Sequence, residues 1–249
     1  MKIKSLNILK VIVKLIKLIL VVSISVIFGI FVKTYFINIF HVPTTSMQDL
    51  IMPHDYILVN KSKNQDFPTK GDVICFKLDE YSKKPLIKRC IATPNDTVIF
   101  NVENIIINGV GDSLMYSSGS HRMKINAVRY NSIDSNLFKM GKLVIPSEGS
   151  SVYIDLLNYK FYENIILRYE KQDIHEKDGE IFINESAASN YTFKYNYYFV
   201  MGDNRAYSID SRHFGPIPES AIIGEATHVL FSWSKNNPFF IGRIFKKIQ

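Results

Sequence analysis

Three separated stretches of the 249-residue chain carry residues able to do chemistry. The first is Val42-Pro43-Thr44-Thr45-Ser46-Met47, where a serine followed by methionine is by itself an ordinary surface pair. The second joins GDVICFK (71–77) to LIKRCIATPNDTV (86–98) and sets Lys88 among β-branched, apolar neighbours. Lysine is seldom buried unpaired, and from this stretch alone a strand lysine alternating outward is the simpler reading. The third, YFVMGDNRAYSIDSRHFGPIPE (198–219), packs Asp203, Asn204, Arg205, Ser208, Asp210, Ser211 and Arg212 between an aromatic strand and a Pro-bounded turn. Dense charge on a short loop is ordinarily a solvated turn, yet loops on a rigid β scaffold are also where sites are built. A serine hydroxyl is a poor nucleophile until a base takes its proton, and a lysine can do that only when neutral. Neighbours such as Ile87 and Ile91 disfavour the ammonium form and lower the amine's pKa.

Other constellations offer less. Six histidines (His41, His54, His121, His175, His213, His228) lack a triad-like context, and a structural role is the better account of His213. His175-Glu176 lacks the second histidine of H-E-x-x-H, and there is no Gly-rich phosphate loop. Cys75 and Cys90 are too few for a four-ligand zinc site or a disulfide framework. Reduced, buried thiols are the simpler reading, and one bridge stays open if their strands are neighbours. No metal and no cofactor is expected.

The elements around these residues start with an apolar run. Leu18–Val32 (LILVVSISVIFGIFV) holds no charge, Lys17 and Lys33 flank it, and Tyr35–Phe40 can extend it to about twenty residues, enough to cross a bilayer. Lys2, Lys4, Lys10, Lys14 and Lys17 precede it, and the first carboxylate is Asp49. The net charge is +7; without those five lysines, 25 basic face 23 acidic residues. The basicity marks one end and is not a groove for nucleic acid. By the positive-inside rule the N-terminus is cytoplasmic and the chain after residue 40 lies outside. No alanine precedes Ala92 to complete a cleavage site, so an uncleaved anchor is favoured over a signal peptide. All-round apolarity of 18–32 weakens an amphipathic surface helix.

After the anchor, short β-branched runs alternate with turn signals: 56–60, 72–78, 86–92, 97–102 and 104–109. Asn108-Gly109 and Asp178-Gly179 read as hairpin turns. Residues 112–140 read as a polar loop, and 156–174 carry helical spacing through Leu157, Phe161, Ile165 and Tyr169. The fold class is mainly β. Trp233, Phe239, Phe240, Ile244 and Phe245, interleaved with Arg243, Lys246 and Lys247, suit a membrane interface; a C-terminal strand or frayed tail is the duller account.

Taken together and in this order, the stretches closely resemble bacterial type I signal peptidases, membrane-bound Ser/Lys endopeptidases. The matching elements are Pro43-Thr44-Thr45-Ser46-Met47, Gly71-Asp72, Ile87-Lys88-Arg89 and the loop from Gly202 to Gly215. The resemblance implies a signal-peptidase-like β-rich catalytic domain with an inserted β-rich subdomain behind one transmembrane helix. It implies Ser46 as nucleophile and Lys88 as general base, with the Ser46 N–H and the Thr44 hydroxyl as oxyanion hole. Ser208 would orient the Lys88 amine, and Asp210 and Arg212 would shape the loop with Asp203 and Arg89 as further partners. Phe40, Val42, Leu86 and Ile87 would line shallow pockets for small side chains, giving an Ala-x-Ala type of cleavage site. The implied partners are signal peptides of exported preproteins and the lipid bilayer; the oligomeric state stays open.

Gln48-Asp49-Leu50, Ala92-Thr93-Pro94-Asn95-Asp96 and Ala206-Tyr207 depart from the family pattern without removing a catalytic atom. The expected division is a basic tail (1–17), an anchor (18–40), a catalytic β domain (41–100 and 196–235), an inserted subdomain (101–195) and a basic, apolar tail (236–249). Two alternatives compete: an inactive membrane-tethered binding module, and a self-cleaving repressor-type Ser/Lys protease. The intact Ser46, Lys88, Ser208 and Asp210 set argues against the first; the anchor and the missing helix-turn-helix argue against the second.

Overall fold

The lysine-rich segment and the charge-free run form one helix, α1 (Lys2–Tyr35), and Ile12–Tyr35 within it is long and apolar enough to cross a membrane. Its 24 residues span roughly 36 Å, against about 30 Å of hydrocarbon. Nothing in the span is buried, and Ile16, Leu20, Ile24, Ile27 and Phe31 are all exposed, so this surface has no protein partner among the described residues. The computed structural model describes residues 2–62, 68–78, 82–100, 105–111, 142–234 and 241–248, with backbone alone for 2–11 and 241. The expected loop at 112–140 and the aromatics Phe239 and Phe240 lie outside the described residues.

The helix ends at Tyr35 and not at Phe40. Residues 37–41 instead form β1 (Ile37–His41), paired along its whole length with β2 (Asp55–Asn60). The alternation of Ile37, Ile39 and His41 with Asn38 and Phe40 fits a pleated edge, and strand pairing satisfies backbone groups that a longer helix would leave at its end. Lys61 caps the helix: its Nζ donates to the carbonyls of Thr34 (2.9 Å) and Lys33 (3.3 Å), where the helix dipole favours a cation.

The chain continues through β3 (Val73–Phe76), β4 (Leu86–Ala92), β5 (Thr97–Phe100), β6 (Ile105–Ile107), β7 (Val110–Gly111), β8 (Lys142–Val144) and β9 (Ser151–Tyr153). After α2 (Tyr159–Ile165) come β10 (Ile174–Lys177), β11 (Glu180–Ile183), β12 (Ser186–Ala187), β13 (Asn190–Thr192) and β14 (Tyr197–Met201). The last elements are α3 (Ser211–Phe214), β15 (Ile217–Pro218), β16 (Ile222–Ser232) and β17 (Lys246–Lys247). The main sheet runs β1-β2-β16-β3-β4-β14-β15, with β17 also on β16. Smaller sheets are β7-β6-β5-β8, β10-β11-β12 and β13-β9; every described pairing is antiparallel. The fold is thus mainly β behind one apolar helix. Strand pairing leaves the main sheet after β4, since β5 belongs with β6 and β8, and returns at β14.

Both expected hairpin turns are present: Asn108 and Gly109, and Asp178 and Gly179, all take positive φ between paired strands. The helix expected over 156–174 is shorter. It starts at Tyr159, passes into a π turn at Ile166–Glu170, and leaves Leu157 exposed while Phe161 and Ile165 are buried. Asp155 explains the late start, because its carboxylate accepts from the N–H groups of Leu157 and Asn158 and holds a turn there. Cys75 and Cys90 are free although their strands are neighbours. Cys75 packs with Ile87, Val42 and Met47, and Cys90 with Ile74, Phe76 and Val200, in separate clusters. Burial pushes the Cys75 thiol up to about 12 and Cys90 higher still.

Candidate active site

Ser46 sits on a turn that leaves the sheet at Val42 and rejoins it at Asp55. Val42 N–H donates to the Asp55 carbonyl (2.8 Å) and His54 N–H to the Val42 carbonyl (2.7 Å). Met47 and Ile51, both fully buried, fix the turn in the core, and Ser46 is itself 7% exposed. Asp49 and His54 adopt positive φ here, at 89° and 72°. The Gln48-Asp49-Leu50 departure thus falls on a tight turn.

Lys88 lies in the interior strand β4, opposite Ile74 of β3, and is 3% exposed. It does not alternate outward to solvent. Its Nζ lies 2.6 Å from Ser46 Oγ, across 42 residues of chain. Burial pushes the amine down from 10.5 to about 8, with Asp210 and Asp203 pulling it up and Arg212 pushing it further down. At pH 7 roughly one molecule in ten then carries the neutral amine, against about one in three thousand at the unshifted value. Thr44 Oγ1, on the exposed side, is 3.3 Å from Ser46 Oγ.

The charged loop after β14 folds over this pair. Asn204 N–H donates to the Ser46 carbonyl (3.0 Å), its Nδ2 to the Thr45 carbonyl (3.0 Å), and Asp203 N–H reaches Met47 Sδ (3.4 Å). Arg89, beside Lys88, forks onto Asp203 at 2.8 and 2.7 Å and donates to the Gly71 carbonyl at 2.6 Å, tying β4 to that loop. Asp210 is wholly buried and paired with Arg212 (Nε–Oδ1 2.8 Å, Nη2–Oδ2 2.9 Å). Burial would raise the Asp210 carboxyl, but Arg212, Ser208 and the Gly202 N–H outweigh it and hold the group below the usual carboxylate range. Asp210 also caps α3, accepting from Arg212 N–H while its own N–H donates to His213 Nδ1 (3.2 Å). His213 is therefore part of the cap, and burial lowers its pKa.

The Ser208 hydroxyl is buried without a geometric hydrogen bond among the described residues, close enough to Asp210 to help keep it ionised. The pocket residues do not all converge. Val42 and Ile87 are buried in one cluster with Phe40 packed on it, whereas Leu86 packs on the other cluster, against Ile74 and Phe76. Successive strand residues face opposite ways, and of the two it is Ile87 that clusters with Val42 and Met47 of the Ser46 turn. Sequence reasoning gave no role to Asn204, although it stands in the same charged loop. Arg243, read with Lys246 and Lys247 as interfacial charge, is instead buried on Asp55. Among the described residues no three His, Cys, Asp or Glu side chains gather as a metal would require.

Comparison with known proteins bears on the family of the chain. Residues 12–231 match the family described as signal peptidase, peptidase S26. A signal peptidase I of Aquifex aeolicus is 28% identical over 234 residues, covering 82% of this chain and 79% of that protein. One from Buchnera aphidicola subsp. Baizongia pistaciae is 26% identical over 227 residues, 81% of this chain and 71% of its own length. Signal peptidase I V of Bacillus subtilis is 28% identical over 203 residues, 81% of this chain and 90% of that one.

Proposed function

The chain belongs to the signal peptidase family, peptidase S26, and we propose that Ser46 and Lys88 are the nucleophile and base with which it cuts signal peptides from preproteins. The 2.6 Å contact between Lys88 Nζ and Ser46 Oγ carries this reading. Neutral Lys88 accepts the Ser46 proton as Oγ attacks the scissile carbonyl, and returns it to the leaving amine. The Ser46 N–H and the Thr44 hydroxyl receive the oxyanion, each donor contributing on the order of 3 kcal/mol in the transition state. Ser208, whose hydroxyl makes no geometric hydrogen bond among the described residues, is the proposed partner that the amine takes up during the reaction, and the Asp210–Arg212 and Arg89–Asp203 pairs hold the loop that carries it.

Phe40, Val42 and Ile87 form the shallow apolar wall for small substrate residues, and Leu86 is left out of it. The lysine-rich side of α1 faces the cytoplasm, and the β body lies on the outer face of the plasma membrane, touching lipid. Supporting that contact, Met52, Trp233, Ile244 and Phe245 are exposed on the same body. The division into basic tail, anchor, catalytic β body and inserted subdomain is proposed with shifted bounds, since β1 and β17 pair within the body's sheet and β5 pairs with β6 and β8 of the insert, to which no role is given. Incubating purified protein with a preprotein, wild type beside Ser46→Ala, tests the reading. Cleavage by the wild type alone is expected, and equal cleavage by both overturns it.

A further inference from the structure

The base of the Ser46 turn is held by residues outside the motifs. The Asp55 carboxylate, 0% exposed, accepts from the Met52 N–H (2.8 Å), the Ser232 hydroxyl, and Arg243 through Nε (3.0 Å) and Nη2. Arg243 Nη2 also donates to the Leu50 carbonyl at 2.9 Å, four residues beyond Ser46. Ile51 N–H in turn bonds the Met47 carbonyl (2.9 Å), next to the nucleophile. Ser232 and Arg243 lie past residue 231, where the family match ends.

We propose that Arg243 is a positioning residue for the reaction, fixing the Ser46 turn from below through Asp55 and the Leu50 carbonyl. Asn204 grips the same turn nearer the nucleophile, on the Thr45 and Ser46 carbonyls. Between these grips lie two non-glycine residues at positive φ, Asp49 and His54, a conformation that persists only when its surroundings impose it. Ser46 Oγ must stay within reach of the Lys88 amine, and a misplacement of about 1 Å costs on the order of a hundredfold in rate. A guanidinium suits the task because its planar fork serves a carboxylate and a carbonyl together; an ammonium is a point charge.

The inference rests on Ser46 being the nucleophile, so the full-length protein is assayed on a preprotein with Ser46→Ala alongside. Activity in Ser46→Ala overturns that reading and the present one with it. With Ser46→Ala inactive, the Arg243 variants decide. Arg243→Lys is expected to lower kcat about tenfold or more, with KM within about twofold and a melting temperature within a few degrees of wild type. Ser232→Ala, a smaller change to the same carboxylate, is expected to lower kcat about two- to fivefold without loss of fold. Wild-type kcat in folded Arg243→Lys, or a loss confined to KM or to the folded fraction, overturns the proposal. Should Arg243→Lys not fold, an unchanged kcat in Ser232→Ala overturns it alone.

Discussion

At Lys88, burial and charge pull in opposite directions, and burial wins because Asp210 is already committed to Arg212. The proposed base works only when neutral, so cleavage should rise with pH through about 8 and level off above it. A kcat/KM profile whose acidic limb sits near 10 would contradict this. Lys88→Arg keeps the charge but cannot lose a proton in this range; cleavage should fall to background with the far-UV spectrum unchanged. The same burial has a stability consequence. Below about 8 the folded protein holds a charged amine out of water; between about 8 and 10.5 the unfolded chain binds more protons, so stability rises with pH there. Lys88→Met should therefore be inactive yet more stable at pH 7, by on the order of 2 kcal/mol, with the gap closing towards pH 10.5. Denaturant midpoints at both pH values measure it, and a less stable Lys88→Met at pH 7 would sink the idea.

Among elements, the site depends on how closely β14 and its loop approach the Ser46 turn. A Cβ at Gly202 would stand 2.3 Å from Ser208 Oγ and 2.5 Å from the Ser46 carbonyl oxygen, too near for either to stay in place. Gly202→Ala should thus cost about a hundredfold in kcat while the fold persists, read by kinetics beside circular dichroism. Strand alternation in β4 yields a second expectation. Ile87→Val should widen tolerance for larger side chains next to the scissile bond, and Leu86→Val should not, because Leu86 faces the other cluster. Equal broadening by both, in a substrate series graded in side-chain size, would refute this. The strands and hairpin turns were legible because β-branched runs and Asn-Gly or Asp-Gly pairs act locally. The Ser46, Lys88 and Asp210 set was legible through motif resemblance, although nothing local showed that Lys88 would be buried. Arg243 escaped notice because its partner is 188 residues away, and a basic residue among aromatics reads as surface until the packing is known. The split between Leu86 and Ile87 follows from period two, yet resemblance to a motif groups adjacent residues without regard to face.

For the whole molecule, the junction between anchor and body constrains topology more than the anchor does alone. Only Phe36 separates α1 from β1, and its N–H still bonds the Val32 carbonyl. Lys61, just after β2, clasps the last helical carbonyls with its side chain and the Phe36 carbonyl with its backbone N–H (2.8 Å). With no slack linker, the membrane placement proposed above would set the β body directly at the end of the span. The proposed orientation rests on the five lysines at the opposite end of α1, since basic residues are retained on the cytoplasmic side. Protease added outside sealed spheroplasts should therefore digest the chain beyond the anchor, removing Ser46 and the activity with it. Protection of that whole region would reverse the orientation. The tight junction adds a second readout: Lys61→Ala leaves the Ser46–Lys88 contact untouched but releases the helix end. Cleavage of a short soluble peptide should then stay near wild type, while cleavage of a membrane-inserted preprotein falls about two- to tenfold as the body loses its fixed approach to the bilayer. An equal effect on both substrates would mean that Lys61 acts on the site and not on the body's placement.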